Sequence, residues 1–364
     1  MKRITLVALT AALGCTGTLN ASEDARTLSL DAQGPDAPRP DAALPDAPGL
    51  DAPFDDAAME ALDAYAAPDA EPMGTDIICQ PWPMGADAYD QSVVPLEVEP
   101  LRGSARKIVL VAGRSSMHAE GQHEFFASMG ILAHLLCQIP GVVPVMVRDG
   151  WPMRESVFDG AAAIVFYADG GASHPLADAA HQAVLQRHID AGVGFVALHY
   201  AVEPSAESAP TFRAWLGGNY ETGTSCNPYW RANYESFGGH PVLRGITPFS
   251  IDDEWYFNLR WADGAGPTNL LQATPPESAR ITPDAQSHPG RIETTAWAYE
   301  RPAVGFTGGH WYGNWLDSPE TPSAPMQRRV VLNGILWTAG VEVPGGGAEV
   351  AYEASLGGLW RDRR

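Results

Sequence analysis

Short apolar runs alternate with longer stretches of helical periodicity from about residue 106 onward. Residues 107–112 are a continuous apolar run after Lys107, closed by Gly113. A run apolar on both sides predicts a strand covered on both faces, as in a parallel sheet. Residues 123–138 place Phe126, Met129, Leu132, Ala133, Leu136 and Cys137 on or near one face of a helix. Residues 141–147 predict a second strand, at a sheet edge because Pro144 lacks an N–H. Residues 162–167 give a third strand, 177–191 a second helix closed by Gly192, and 193–198 a fourth strand stopping at His199. Strand, helix, strand, strand, helix, strand predicts an α/β, doubly wound, mostly parallel sheet with helices on both faces. Ligands bind such sheets beyond the carboxyl ends of the strands.

The second half changes character. Residues 229–237, 249–255, 269–273 and 294–299 predict short strands rich in aromatics, and 326–339 a last helix with Val330, Val331, Ile335 and Leu336 as its packing stripe. Residues 345–364 form a C-terminal tail that either docks through Leu356, Leu359 and Trp360 or frays.

The beginning reads differently again. Lys2 and Arg3 precede a short apolar run ending Ala12-Leu13-Gly14-Cys15. The run is too short to span a bilayer, and 1–15 reads as a secretory signal. Its end resembles the lipobox of bacterial lipoproteins, with Cys15 the lipidated residue; Ala12 stands where Leu is commoner, and an ordinary signal cut after Ala21 is the alternative. Asp-Ala recurs every five residues from Asp31 to Asp51, with Pro35, Pro40 and Pro45 between. Pro and like charge keep such a chain extended, so 16–75 is expected to be a disordered tether, 76–105 a lead-in, and 106–344 the folded domain.

Charge sharpens this division. Residues 21–90 hold sixteen Asp and Glu against two Arg, so most of the net −21 belongs to the tether. The acidity excludes nucleic acid as a partner, because phosphate binding needs clustered Lys and Arg. Four Cys exclude a disulfide-rich scaffold. Cys137 reads as a buried thiol, while Cys79 and Cys226 are either bonded to each other or free.

The candidate chemistry lies at the predicted strand ends. His118, His123, His174, His199 and His310, five of the ten His, sit in Gly-rich loops there. Asp169 follows the third strand, and Glu254 belongs to an acidic run in the second half. Two chemistries suit this group. Neutral imidazoles with a carboxylate bind Zn or another divalent transition metal, or His and Glu act as acid and base on a sugar without metal. Metal binding, at His123, His199 and His310, would rest on tertiary convergence, since no compact ligand helix is present. The catalytic candidates are His199, His310, His123 and Glu254; for Glu254 the alternative is a buried partner orienting a His. His118, Asp169, His174, Tyr200, Trp255 and Trp311 are candidate substrate contacts, the aromatics because sugar C–H faces stack on rings.

Several ordered segments carry a family resemblance: 112–118 with 121–124, Asp169-Gly-Gly-Ala-Ser-His174-Pro, 194–203, Asp253-Glu-Trp-Tyr256, and Gly308-Gly-His310 with Asn314-Trp315. The chain resembles the ThuA-like (trehalose utilisation) domain family, within the class I glutamine amidotransferase-like superfamily, from about residue 106 to 344. The resemblance implies a flavodoxin-like core with β-rich aromatic insertions. It implies a role in the use of trehalose or a related disaccharide, with keto-sugar intermediates as a further candidate substrate. Met117 and Ala119 depart from the smaller residues of the secreted branch. Amidotransferases proper carry a nucleophilic Cys where this chain has His199, so glutaminase chemistry is not expected. The leading expectation is an exported, membrane-anchored carbohydrate-active enzyme, hydrolase or isomerase/lyase-like, acting on a small sugar. The rivals are a non-catalytic sugar-binding lipoprotein and an anchored scaffold with a vestigial site.

Overall fold

The structure, a computed structural model, describes residues 87–99, 105–264, 266–300, 302–352 and 354–364. The expected signal, the lipidated Cys15 and the tether lie outside the described residues.

A seven-stranded sheet organises the fold. Its strands are β1 (Arg106–Ala112), β2 (Val142–Val147), β3 (Ala161–Tyr167), β4 (Gly194–Leu198), β9 (Thr268–Ala273), β10 (Glu293–Tyr299) and β11 (Ala303–Phe306). They lie in the order β2-β1-β3-β4-β11-β10-β9. The first five are parallel, and β10 and β9 complete the sheet antiparallel. Strand β11 takes the place of the fifth strand in the 2-1-3-4-5 order of flavodoxin-like folds. Strand β2, with Pro144, is an edge strand as expected.

Strand β1 shows why its sequence is apolar throughout. Ile108, Leu110 and Ala112 enter the core on one face of the sheet, and Val109 and Val111 the core on the other. Helices α1 (Phe125–Leu136) and α5 (Ala324–Thr338) cover the first face. Helices α2 (Ala179–Asp190) and α3 (Ala209–Leu216) cover the second. Helix α1 is buried on almost every side, because residues near Val94 and Trp360 join its core cluster as well.

The insertion between α3 and β11 holds the small pairs β5 (Gly218–Asn219) with β8 (Arg260–Trp261) and β6 (Tyr229–Tyr234) with β7 (Phe249–Glu254), then the short helix α4 (Pro283–Gln286). Pairing of β6 with β7 is antiparallel and sets Tyr229 opposite Glu254. Opposed residues share a face, so both side chains leave the pair on the same side.

Sequence reasoning did not find α3 or β11. Strand β11 is four residues long with a glycine in it, too short to show a period. The tail docks and does not fray: Leu356, Leu359 and Trp360 are buried. One cysteine alternative is decided and one reading needs correction. Cys226 is a buried free thiol, so of the two alternatives for it the free one holds; Cys79 lies outside the described residues. Cys137, read as a thiol, is disulfide-bonded.

Gly305 in β11 is a packing requirement. A Cβ there would lie 2.1 Å from the Trp297 indole of β10. Both strands are buried, so the ring has little room to yield. Gly305→Ala should therefore cost about 1–3 kcal/mol or more, read by denaturant unfolding. Wild-type stability in this variant would show that the indole repacks freely.

Candidate metal centre

Four strand ends build the site. The loop after β1 carries Ser116, His118 and His123, Asp169 follows β3, His199 follows β4, and His310 follows β11. All are carboxyl ends of parallel strands, so their loops leave the sheet on one side. Glu254, the last residue of β7, reaches the same place from the insertion.

The nitrogens and the carboxylate converge closely. His123 Nε2 lies 2.9 Å from His310 Nδ1 and 3.1 Å from His199 Nε2. Glu254 Oε2 lies 3.1 Å from His310 Nδ1 and 3.5 Å from His199 Nε2. One ligand atom from each of the four residues falls within 4.8 Å of the others. Around a tetrahedral zinc with bonds near 2.1 Å, donors stand about 3.4 Å apart. The observed spacings are close to that.

Each imidazole is held by its far nitrogen. His199 Nδ1 donates to the Thr307 carbonyl at 2.9 Å. His123 Nδ1 faces Asp169 Oδ1 at 3.3 Å, with Ser116 Oγ at 3.5 Å. His310 Nε2 meets the Tyr229 hydroxyl at 2.9 Å. Such partners fix ring orientation and tautomer in metal sites.

The proton arrangement follows from these partners. A carbonyl and a carboxylate only accept, so His199 and His123 carry their protons on Nδ1. Their Nε2 lone pairs then face each other at 3.1 Å. Protonating His123 does not relieve this. Burial, then the neighbouring His199, His118 and His310, hold its pKa far below the usual histidine range. A proton on His310 Nδ1 serves His123 or Glu254 and leaves the His199 lone pair opposed. Burial opposes the charge on Glu254, but the pull of donors on the His199 and His310 side outweighs it and holds the pKa at about 2; with His199 Nε2 bare, only His310 Nδ1 or a cation can supply that pull. A cation among the four donors satisfies all of them at once.

Rigid backbone supports the group. His123 and His199 have φ of 50° and 52°, a left-handed conformation uncommon outside glycine and costing of order 1–3 kcal/mol each. The His310 loop is clamped by Asp253, which is buried. It accepts from Gly309 N at 2.7 Å, His310 N at 3.0 Å and Asn314 Nδ2 at 2.9 Å. His123 N donates to His310 O at 3.0 Å, tying the two loops together.

Comparison with known proteins places this chain in a family. The ThuA family, described as trehalose utilisation, matches residues 109–338. The chain belongs to the ThuA family. Among solved structures it is similar to a ThuA-like protein of Bacteroides uniformis, at 16% identity and TM-score 0.47, covering 65% of this chain and 93% of that one. It is also similar to a ThuA-like protein of Parabacteroides merdae, at 15% identity and TM-score 0.45, covering 66% and 92%. A glutamine amidotransferase of Methylobacillus flagellatus matches at 13% identity and TM-score 0.32, covering 72% and 97%. No curated protein matches by sequence.

Of the candidates in this ThuA-family chain, His123, His199, Glu254 and His310 come together as one group. His118 and Asp169 join it on the outer side. The His118 ring centroid is 3.8 Å from that of His123, and Ser116 Oγ lies 2.6 Å from His118 Nδ1 and 3.1 Å from Asp169 Oδ1. Tyr200 is half-buried with its ring 5.7 Å from His123. Trp311 is 37% exposed, 4.9 Å from His310 and 5.5 Å from Tyr229.

Two candidates are not placed to touch a substrate. Trp255 is fully buried, donates to Ile251 O at 3.3 Å and packs on Tyr234 and Phe306. It explains Gly308, whose Cβ would meet its ring at 2.5 Å. His174 spends both nitrogens on backbone, taking a bond from Leu176 N at 2.9 Å and pairing Nε2 with Ala201 O at 3.1 Å.

Sequence reasoning gave no role to Tyr229, Ser116 or Asp253. A signal for Asp253 existed. Phe249 and Ile251 face inward, and a period of two carries Asp253 to the same buried face.

His174 also makes stability depend on pH. Burial, partly offset by the bond to Ala201 O, lowers its pKa to about 4 from 6.5. The unfolded chain therefore takes up a proton that the folded chain refuses. Stability falls as pH drops through about 6.5 and levels off below about 4. At pH 5 this one group should cost about 2 kcal/mol relative to pH 8. His174→Asn keeps the acceptor for Leu176 N and should remove that share of the loss in denaturant titrations. An identical pH dependence in wild type and variant would assign the loss elsewhere.

Proposed function

We propose that the chain is a metal-dependent enzyme of carbohydrate metabolism, with His123, His199, His310 and Glu254 holding a divalent transition metal such as Zn. The observation that carries this is the convergence of imidazole lone pairs and an ionised carboxylate, each ring fixed from behind. Three imidazoles and one carboxylate suit Zn, Fe, Ni or Mn. When bound, such an ion polarises a sugar oxygen or acidifies a water.

The remaining roles fall to the chain's own groups. Trp311 and Tyr229 offer a half-exposed aromatic wall beside His310 for the apolar face of a sugar ring. His118, Ser116 and Asp169 form a hydrogen-bonded ledge for sugar hydroxyls. The family description supports a substrate class related to trehalose use.

The full-length protein should bind one equivalent of transition metal, read by elemental analysis after dialysis. His199→Ala should lower that affinity at least a hundredfold while leaving the fold intact by circular dichroism. Sugar turnover should vanish with chelator and return with metal. A wild-type protein that turns over sugar in chelator would favour metal-free acid–base chemistry. One that binds sugar without turnover would be a binding protein.

We also propose that the protein is exported and anchored to a membrane through lipidated Cys15. Cys15→Ser should abolish lipid labelling and move the protein from the membrane fraction to the soluble fraction. Unchanged membrane association would rule the anchor out.

A further inference from the structure

Residues 354–364 run back across α1 to the loop that carries His118 and His123. Their course is fixed at several points. The Trp360 indole lies over Gly130 of α1, where a Cβ would meet it at 2.6 Å. Gln91 Nε2 donates to Trp360 O at 3.0 Å and to Asp362 Oδ1 at 2.8 Å.

At the loop, Arg364 gathers backbone carbonyls. Nη1 donates to His118 O and, at 2.6 Å, to Ala119 O; Nη2 donates to His123 O at 3.2 Å. The same Nη2 lies 3.6 Å from Glu124 Oε1. Glu124 is itself buried and joins the two segments. Oε1 accepts from Gly121 N of the loop at 2.9 Å, and Oε2 from Asp362 N at 2.8 Å.

We propose that residues 354–364 are a strap and that Arg364 is a positioning residue. It fixes the loop of residues 116–124, and through it the aim of His123 at the metal centre. The inference rests on the metal reading only for its second readout below.

Three physical points carry it. The loop lacks regular structure over most of its length, His123 has a left-handed backbone, and on its other side the loop is tied to the His310 loop by His123 N to His310 O and Tyr312 N to Gly121 O, so Arg364 holds the side those bonds leave open. A guanidinium is the side chain that can reach three carbonyls and a carboxylate in one plane-like fork. The other ligands have anchors of their own: His199 has Thr307, and His310, though also bonded to His123 N, has the Asp253 clamp and Tyr229. Loss of the strap should therefore loosen one ligand of four and leave three in place.

The test uses full-length protein freed of metal by chelator, with amide hydrogen exchange as the first readout. In Arg364→Ala, peptides covering 116–124 should exchange at least tenfold faster than in wild type, with β4 and α5 unchanged. Gly130→Ala, which pushes Trp360 away, should give the same local pattern from the far end of the strap. As the second readout, zinc affinity by chelator competition should fall ten- to a hundredfold in Arg364→Ala, the range typical of an outer partner of a ligand. Arg364→Lys should fall between, since an ammonium cannot fork. Unchanged exchange in the loop, or a uniform rise across the whole protein, would overturn the strap. Equal zinc affinity in wild type and Arg364→Ala would overturn the positioning of His123. If wild type takes no zinc, the metal-centre reading fails, and loop exchange alone decides the strap.

Discussion

Two imidazole nitrogens, each with its proton turned away, face one another at 3.1 Å beside an ionised carboxylate. That arrangement is the constraint on which the rest of the site depends. Lone pairs repel at this distance, and burial makes relief by protonation costly. The surrounding structure imposes the geometry from behind. Thr307 gives a carbonyl, Asp169 a carboxylate and Tyr229 a hydroxyl, each on a different element. Left-handed turns at His123 and His199 add backbone strain at the same place. The fold supplies what offsets this: a sheet buried on both faces, with two core clusters packed by helices.

Much of this was legible in the residues. Four of the five parallel strands and three long helices follow from apolar runs and helical periodicity, and the carboxyl-edge rule placed His123, Asp169 and His199 together. His310 joins them in the sequence reading only as a His in a Gly-rich loop, within the family segment Gly308-Gly-His310. The structure gives the physical reason, since it too follows a parallel strand. That strand, β11, was invisible because Ala-Val-Gly-Phe is too short to carry a period.

The failures share a cause. Trp255 and Trp311 both adjoin polar residues in sequence, yet one is core and the other lines the site. Adjacency along the chain does not fix which face of a strand or loop a ring occupies. His174 sits in a Gly-rich loop like the ligands, but its ring turns back to serve Leu176 N and Ala201 O. Tyr229 became visible only through the register of β6 on β7. Pairing register over such distances is set by tertiary packing, which local pattern does not report.

The position of β11 has a consequence for how the molecule assembles. Its neighbour β4 ends at Leu198 and β11 begins at Ala303, so about a hundred residues of insertion separate strands that lie side by side. Closing so long a loop is entropically unfavourable and is rewarded only once the pairing forms. His310 and the Thr307 carbonyl that orients His199 both lie just beyond β11, so neither is in place earlier. Glu254 rides on the insertion itself. The centre thus depends on a long-range pairing, and its four donors meet only in a chain in which β11 lies against β4.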